Sequence, residues 1–285
     1  MNQMLSLRRL TRISALLALA CALLPLPALA ELMLNPTRVV FANNQRAAQV
    51  ELINNSAEVA TYRITMVNRR MSETGEFIDV VEAAPGEHFA DAMLTWSPRQ
   101  ITLQPGTAQV VRLMVRKPDG LADGEYRSHL HFEKLANAGD LASSVEAGPD
   151  TEAKIGVVLK TLIGASIPVI VRHGASDASV TLSGLALQPG EAGKAPVLAF
   201  ALNRSGNSSV YGDLSVTLVT RANAERVLAR AGGVAVYTPN SLRRASLSLQ
   251  ASAGVALTGG QLRLAYRARP EAGGKLLAEA TLALP

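Results

Sequence analysis

Apolar and polar residues alternate along most of the chain. Gln49-Val50-Glu51-Leu52-Ile53-Asn54 reads as a half-buried strand, closed by a turn at Asn54-Asn55-Ser56. The same period of two returns over 61–68, 100–103 and 109–115, with Gln104-Pro105-Gly106 as a tight connection between the last two runs. A strand turns successive side chains to opposite faces, so each run predicts one face in a core and one in water. Further strands are predicted at 179–187, 196–202, 214–220, 226–237, 246–250 and 261–267. Short β-rich runs about every ten residues, separated by Gly, Pro and Asn, are the pattern of β-sandwiches. Beyond the first thirty residues no apolar period of 3.6 persists over a helical length.

One segment breaks the alternation. Residues 154–172 are too apolar and too long for an ordinary half-buried strand, and they contain Pro168, which a central strand tolerates poorly. A bent edge strand fits best. The stretch before it, 136–151, is rich in Ala, Gly, Ser and Asp and reads as a long loop. His173-Gly174-Ala175-Ser176-Asp177 after it reads as a hinge. The expected organisation is therefore all-β: a sandwich over 31–172, a short hinge, and a second sandwich over 173–285.

The first thirty residues fall outside that pattern. Arg8, Arg9 and Arg12 precede an apolar run from Ile13 to Leu26, and Ala28-Leu29-Ala30 supplies a small-x-small cleavage pattern. This is the layout of a removable export signal over 1–30, not of a membrane span. The single cysteine, Cys21, lies inside it, and Ala18-Leu19-Ala20 lacks the upstream leucine that lipid attachment favours. The exported chain would hold no thiol, hence no disulfide and no thiolate metal site. The net charge of +5 falls by three when the signal's arginines leave, which is too mild to argue for nucleic acid.

Chemistry-bearing motifs are sparse. His129 and His131 share a strand face and, with Glu133, could hold a metal, but His-x-His alone is weak. Gly-x-Ser-x-Gly, His-Glu-x-x-His and Gly-x-x-x-x-Gly-Lys are missing, and four scattered histidines leave little for acid–base catalysis. Neither an enzyme nor a cofactor is expected. Trp96, the only tryptophan, is read as core.

Several segments in order resemble one family. Asn35-Pro36-Thr37-Arg38-Val39-Val40-Phe41, Leu52-Ile53-Asn54-Asn55-Ser56, Pro98-Arg99, Leu103-Gln104-Pro105-Gly106 and Gly124-Glu125-Tyr126-Arg127-Ser128-His129-Leu130 are similar to segments of the periplasmic pilus-assembly chaperones of the chaperone–usher pathway. Asn203-Arg204-Ser205-Gly206-Asn207 and Tyr211-Gly212 extend the likeness to the second half. Ser97-Pro98-Arg99 and Tyr126-Arg127-Ser128-His129 point to the archaic or alternative branch. The resemblance implies two immunoglobulin-like β-sandwich domains set at an angle and joined by a short hinge. It implies a periplasmic location with no membrane insertion of the mature chain, and two partners: pilus or fimbrial subunits and an outer-membrane usher. A secreted adhesin or carbohydrate-binding sandwich is the alternative.

The implied mechanism is donor-strand complementation, in which an edge strand is lent to a subunit whose own sandwich lacks one. A six-residue ladder with three aliphatic side chains in pockets gives gross terms on the order of 10 kcal/mol, from which association entropy removes several. The lending strand falls before Pro168. One register presents Val157, Leu159, Thr161 and Ile163; the other presents Val158, Lys160 and Leu162. The first keeps a lysine out of an apolar groove and is preferred. Arg38 matches the family's first-strand arginine that anchors the subunit's terminal carboxylate, which a guanidinium grips bidentately. Members outside this branch place a second anchor, a lysine, four residues before the arginine that ends the lending strand. Here that position is Pro168, so Arg99 and Lys160 become candidates. The acidic residue that would pair with the strand-ending arginine is replaced by Gln104, so Arg172 is expected to cap the hinge without that ion pair.

Overall fold

The computed structural model describes residues 31–42, 44–136, 164–190, 195–250, 257 and 259–285. The first half contains β1 (Leu32–Asn35), β2 (Val39–Phe41), β3 (Ala47–Asn54), β4 (Ala60–Val67), β5 (Arg69–Met71), β6 (Phe77–Asp79) and β7 (Leu94–Ser97). It continues through β8 (Gln100–Leu103), β9 (Ala108–Val115), β10 (Gly124–Lys134) and β11 (Ala165–His173). The second half contains β12 (Ala178–Gln188), β13 (Val197–Gly206), β14 (Val210–Thr220), β15 (Glu225–Val236), β16 (Leu242–Ser248), β17 (Gly260–Ala268) and β18 (Leu276–Leu284). Two single-turn 3-10 helices are the only helical elements among the described residues.

The strands form two β-sandwiches. In the first, the sheet β1-β3-β9-β7 faces the sheet β2-β11-β10-β4-β8, and β5-β6 forms a separate hairpin. In the second, β12-β13-β16 faces β15-β14-β17-β18. The alternation read from the sequence sets the faces. Val50 and Leu52 of β3, Tyr62 and Ile64 of β4, and Val111, Leu113 and Val115 of β9 are buried in the first core, while their neighbours, polar Glu51, Arg63 and Arg112 and apolar Met114 among them, turn outward. Leu198, Leu202, Leu214, Val216, Leu262 and Leu264 fill the second. Each core gathers alternate residues from both of its sheets, which is what holds an aligned sandwich together. Trp96 is half-buried against the first core and donates its indole N–H to the Ile64 carbonyl at 3.0 Å.

The described part of the segment expected as an edge strand is edge for only half its length. β11 pairs with β10 throughout, and β2 joins its other side in parallel from Val169 to Val171. Ala165 to Pro168 therefore have a neighbour on one side only among the described residues. Proline, which has no amide hydrogen to donate, sits in that half-open stretch, where the sheet tolerates it. The chain from β1 to β2 crosses between the two sheets of the first sandwich, and this crossing sets Arg38 immediately before the parallel pairing.

Candidate functional site

β10 is buried on both faces from Glu125 to Leu130, although its odd positions are polar. Leu130 and Phe132 enter the first core, while Glu125, Arg127 and His129 on the opposite face are also buried. Cross-strand pairing aligns them with β11: Glu125 opposite Arg172, Arg127 opposite Ile170, His129 opposite Pro168. Ile170 in turn pairs with Val40 of β2. This face is covered by the second sandwich. Ile170 and Met71 form a small apolar cluster with Ala235 and Tyr237, against which Val40 and Tyr211 pack. Further contacts hold the β5-β6 hairpin to the same partner: Asn240 Nδ2 donates to the Met71 carbonyl at 2.7 Å, and Arg244 pairs with Glu73.

Tyr237 stands at the centre. Its hydroxyl accepts from Arg38 Nη1 at 2.9 Å, and the Arg127 guanidinium carbon lies 4.3 Å from its ring centroid. Arg38 also covers the Tyr211 ring at 4.6 Å, and its Nη2 donates to Ser209 Oγ at 3.1 Å. Cation–ring contacts of this kind stabilise a partly dehydrated guanidinium without neutralising it. Arg127 donates to the carbonyls of Thr238 (3.3 Å) and Arg69 (3.2 Å), and burial pushes its pKa below the usual arginine value. His129 is held neutral: burial first, then the charges of Arg127, Arg69 and Arg38, push its pKa down to about 3. Phe77 of the hairpin meets the histidine ring edge-on at 5.1 Å.

Beside this cluster lies a buried carboxylate. Glu125 Oε2 accepts from Arg172 Nε at 3.0 Å, from the Ser209 amide at 3.0 Å and from Ser209 Oγ at 2.9 Å. Arg172 Nη2 adds a bond to the Ser209 carbonyl at 3.1 Å. Arg172 thus has an ion pair of a different origin from the one that position 104 lacks. The absence of an acid at position 104 does not leave it unpaired, because Glu125 faces it directly across the β10–β11 ladder. The triangle of Glu125, Arg172 and Ser209 joins the two sandwiches where β11 runs into the hinge.

Arg38 and Arg172 line a cavity of about 590 Å³ between the sandwiches, together with Tyr211, Ser209, Leu277 and Arg269. Arg269 is neutralised by Asp213 at 2.9 Å and Glu271 at 3.2 Å. Arg38 has hydroxyl and ring partners but no carboxylate among the described residues. It is the half-buried cation of this cavity with acceptor-seeking capacity left over.

The other residues singled out from the sequence lie elsewhere. Arg99 is exposed at the step from β7 to β8, stacked on Trp96 with its guanidinium carbon 3.5 Å from the ring centroid, and it does not line the cavity. Lys160 and the lending residues Val157, Leu159, Thr161 and Ile163 lie outside the described residues. His129 and His131 are not joined by a third ligand: no group of three metal-ligating side chains occurs among the described residues. No helix among those residues is long and apolar enough to cross a membrane. Tyr237 and Ser209 were not legible as site residues, since each meets Arg38 across more than 170 positions of sequence.

No protein-family model matches the chain, and no curated protein sequence matches it. Solved structures do. The matches include chaperones of pilus assembly. The CupB2 chaperone of Pseudomonas aeruginosa is 12% identical, with 89% of this chain and 100% of that one covered and a TM-score of 0.45. The chaperone–tip adhesion subunit pre-assembly complex of the archaic Csu pili of Acinetobacter baumannii gives 13% identity, 90% and 100% coverage and a TM-score of 0.45. The Salmonella enterica SafB chaperone complex with the SafA pilin gives 14%, 91% and 99%, and 0.41. At these values no residue role passes from those proteins to this one.

Proposed function

We propose that this chain is a periplasmic chaperone that binds pilus subunits by donor-strand complementation and delivers them to an outer-membrane usher. The observation that carries the proposal is Arg38: a cation without a carboxylate partner among the described residues, stacked on Tyr211 and facing a cavity between two sandwiches. A subunit's terminal carboxylate supplies the missing charge. The half-open edge of β11 supports the same reading, because a guest strand would add beside Ala165–Pro168. In this proposal 31–172 forms the subunit-binding domain, 173–285 the second domain, and Arg172 holds the hinge between them.

The test is periplasmic co-expression with a subunit that aggregates alone. Arg38→Ala is expected to leave circular dichroism unchanged and to cut subunit recovery by roughly 10- to 150-fold, the equivalent of one charge-assisted bond of about 1.5–3 kcal/mol. Wild-type recovery with the variant would remove Arg38 from the site. Binding to immobilised carbohydrate with no subunit capture would replace the proposal with an adhesin.

Strand lending has its own signature. Leu159→Asp and Ile163→Asp put a carboxylate into an apolar groove and are expected to lower subunit recovery at least tenfold, whereas Lys160→Asp is tolerated. The inverse pattern would shift the register by one residue and turn every facing side chain over. Equal tolerance at all three positions would end the case for lending by this segment.

A further inference from the structure

A second cavity, also of about 590 Å³, opens elsewhere along Arg172 and is lined by the β2–β3 loop, the end of β9 and the hinge. Its cations are Arg46, Arg116, Lys117 and Arg172, His173 lies beside them, and no acidic residue lines it among the described residues. Two of the four are already engaged. Lys117 Nζ donates to the Arg172 carbonyl at 2.6 Å, and the Arg172 guanidinium is turned to Glu125. His173 lies 4.0 Å from Asp123, at the limit of an ion pair. Arg46 and Arg116 are exposed on two different segments, and no described carboxylate pairs with either. Asn44, Gln45 and Ser176 also line the cavity, and the Gln45 side-chain amide donates to the Ala47 carbonyl at 3.3 Å.

We propose that this hinge cavity binds an acidic peptide segment of a partner protein. The charge calls for an anion. The extent favours a chain over a single small ion, because the cations are spread over three stretches of backbone and the space is much larger than one phosphate occupies. The neutral Asn44 and Ser176 of the lining are suited to main-chain N–H and C=O groups. Concave surfaces lined by one sign of charge concentrate the opposite sign and speed its capture. The inference stands on a different cavity from the subunit cleft and does not depend on strand lending. Arg172 borders both, so a segment held here would press on the residue that joins the sandwiches.

The probe is a synthetic hexaglutamate peptide, followed by fluorescence anisotropy on the full exported chain. Binding is expected at low ionic strength and should weaken at least tenfold between about 0.05 and 0.3 M salt, as screening shortens the reach of the cations. Arg46→Glu with Arg116→Glu should abolish it. Arg230→Glu with Arg267→Glu, an exposed pair on the second sandwich with the same change in net charge, should leave it intact. If the reversed pair fails to fold, Arg46→Gln with Arg116→Gln should still weaken binding at least tenfold. Equal loss in both reversed pairs, or in neither, would overturn the site. Inorganic pyrophosphate binding as tightly as the peptide would overturn the assignment to a peptide.

Discussion

Glu125→Leu is expected to destabilise the chain by about 3 kcal/mol and to loosen one sandwich from the other. The substitution removes the acceptor shared by Arg172 Nε, the Ser209 amide and Ser209 Oγ, and the Glu125 side chain it replaces is fully buried. Breaking a buried pair by deleting one partner costs about 3–5 kcal/mol, because the remaining charge stays desolvated. The lower end applies, since Arg172 keeps 27% of its side-chain surface in water. In a chain of this size that lowers the unfolding midpoint by roughly 6–12 °C. Arg172→Leu added to Glu125→Leu should recover part of the loss, because an apolar pair leaves no buried charge behind. Thermal melts of the three chains check both statements. A single variant as stable as the native chain would show that the ion pair contributes nothing net.

The second large effect concerns pH. His129 is 2% exposed, and its folded pKa of about 3 lies well below the ordinary histidine value. The unfolded chain binds this proton more readily than the folded one does. The stability that the neutral ring contributes is therefore complete above about pH 6.5 and is lost as pH falls from there toward 3. The full loss is roughly 5 kcal/mol at 1.36 kcal/mol per pH unit. Replacing His129 by Leu removes this dependence. Denaturant titrations at a series of pH values should show the variant gaining on the native chain steadily below pH 6.5. Parallel curves would mean that the ring takes up its proton in the folded state at the ordinary pH.

Much of the fold was legible because a strand's period is short and local. The strand at Gln100–Leu103 was read to the residue, and those at Ala47–Asn54, Ala60–Val67 and Ala108–Val115 to within two. β18 was missed: Leu276-Leu277-Ala278-Glu279-Ala280-Thr281 is rich in alanine and poor in β-branched residues, so nothing local marks it. The hairpin of β5 and β6 is too short for a period to register. The site divides in the same way. Arg38 stood in a recognisable first-strand segment. Glu125 stood in one too, but its role depends on the β10–β11 register that sets it opposite Arg172. Tyr237 carried no mark, because what makes it central is the docking of one sandwich on the other.

The parallel docking of β2 on β11 also fixes a direction of travel. A guest strand filling the open edge beside Ala165–Pro168 lies end to end with β2 and meets it head-on at Val39, which already pairs with Val169. It can go no further, and Arg38 stands at the point of collision. Of the two ways a guest can lie, the one parallel to β11 brings its carboxyl end to that guanidinium, and the other brings an ammonium. Under the proposed strand lending, the edge would therefore act as a one-way dock with an end wall, accepting a free carboxyl terminus in one polarity and turning away a reversed chain, or one that tries to run through.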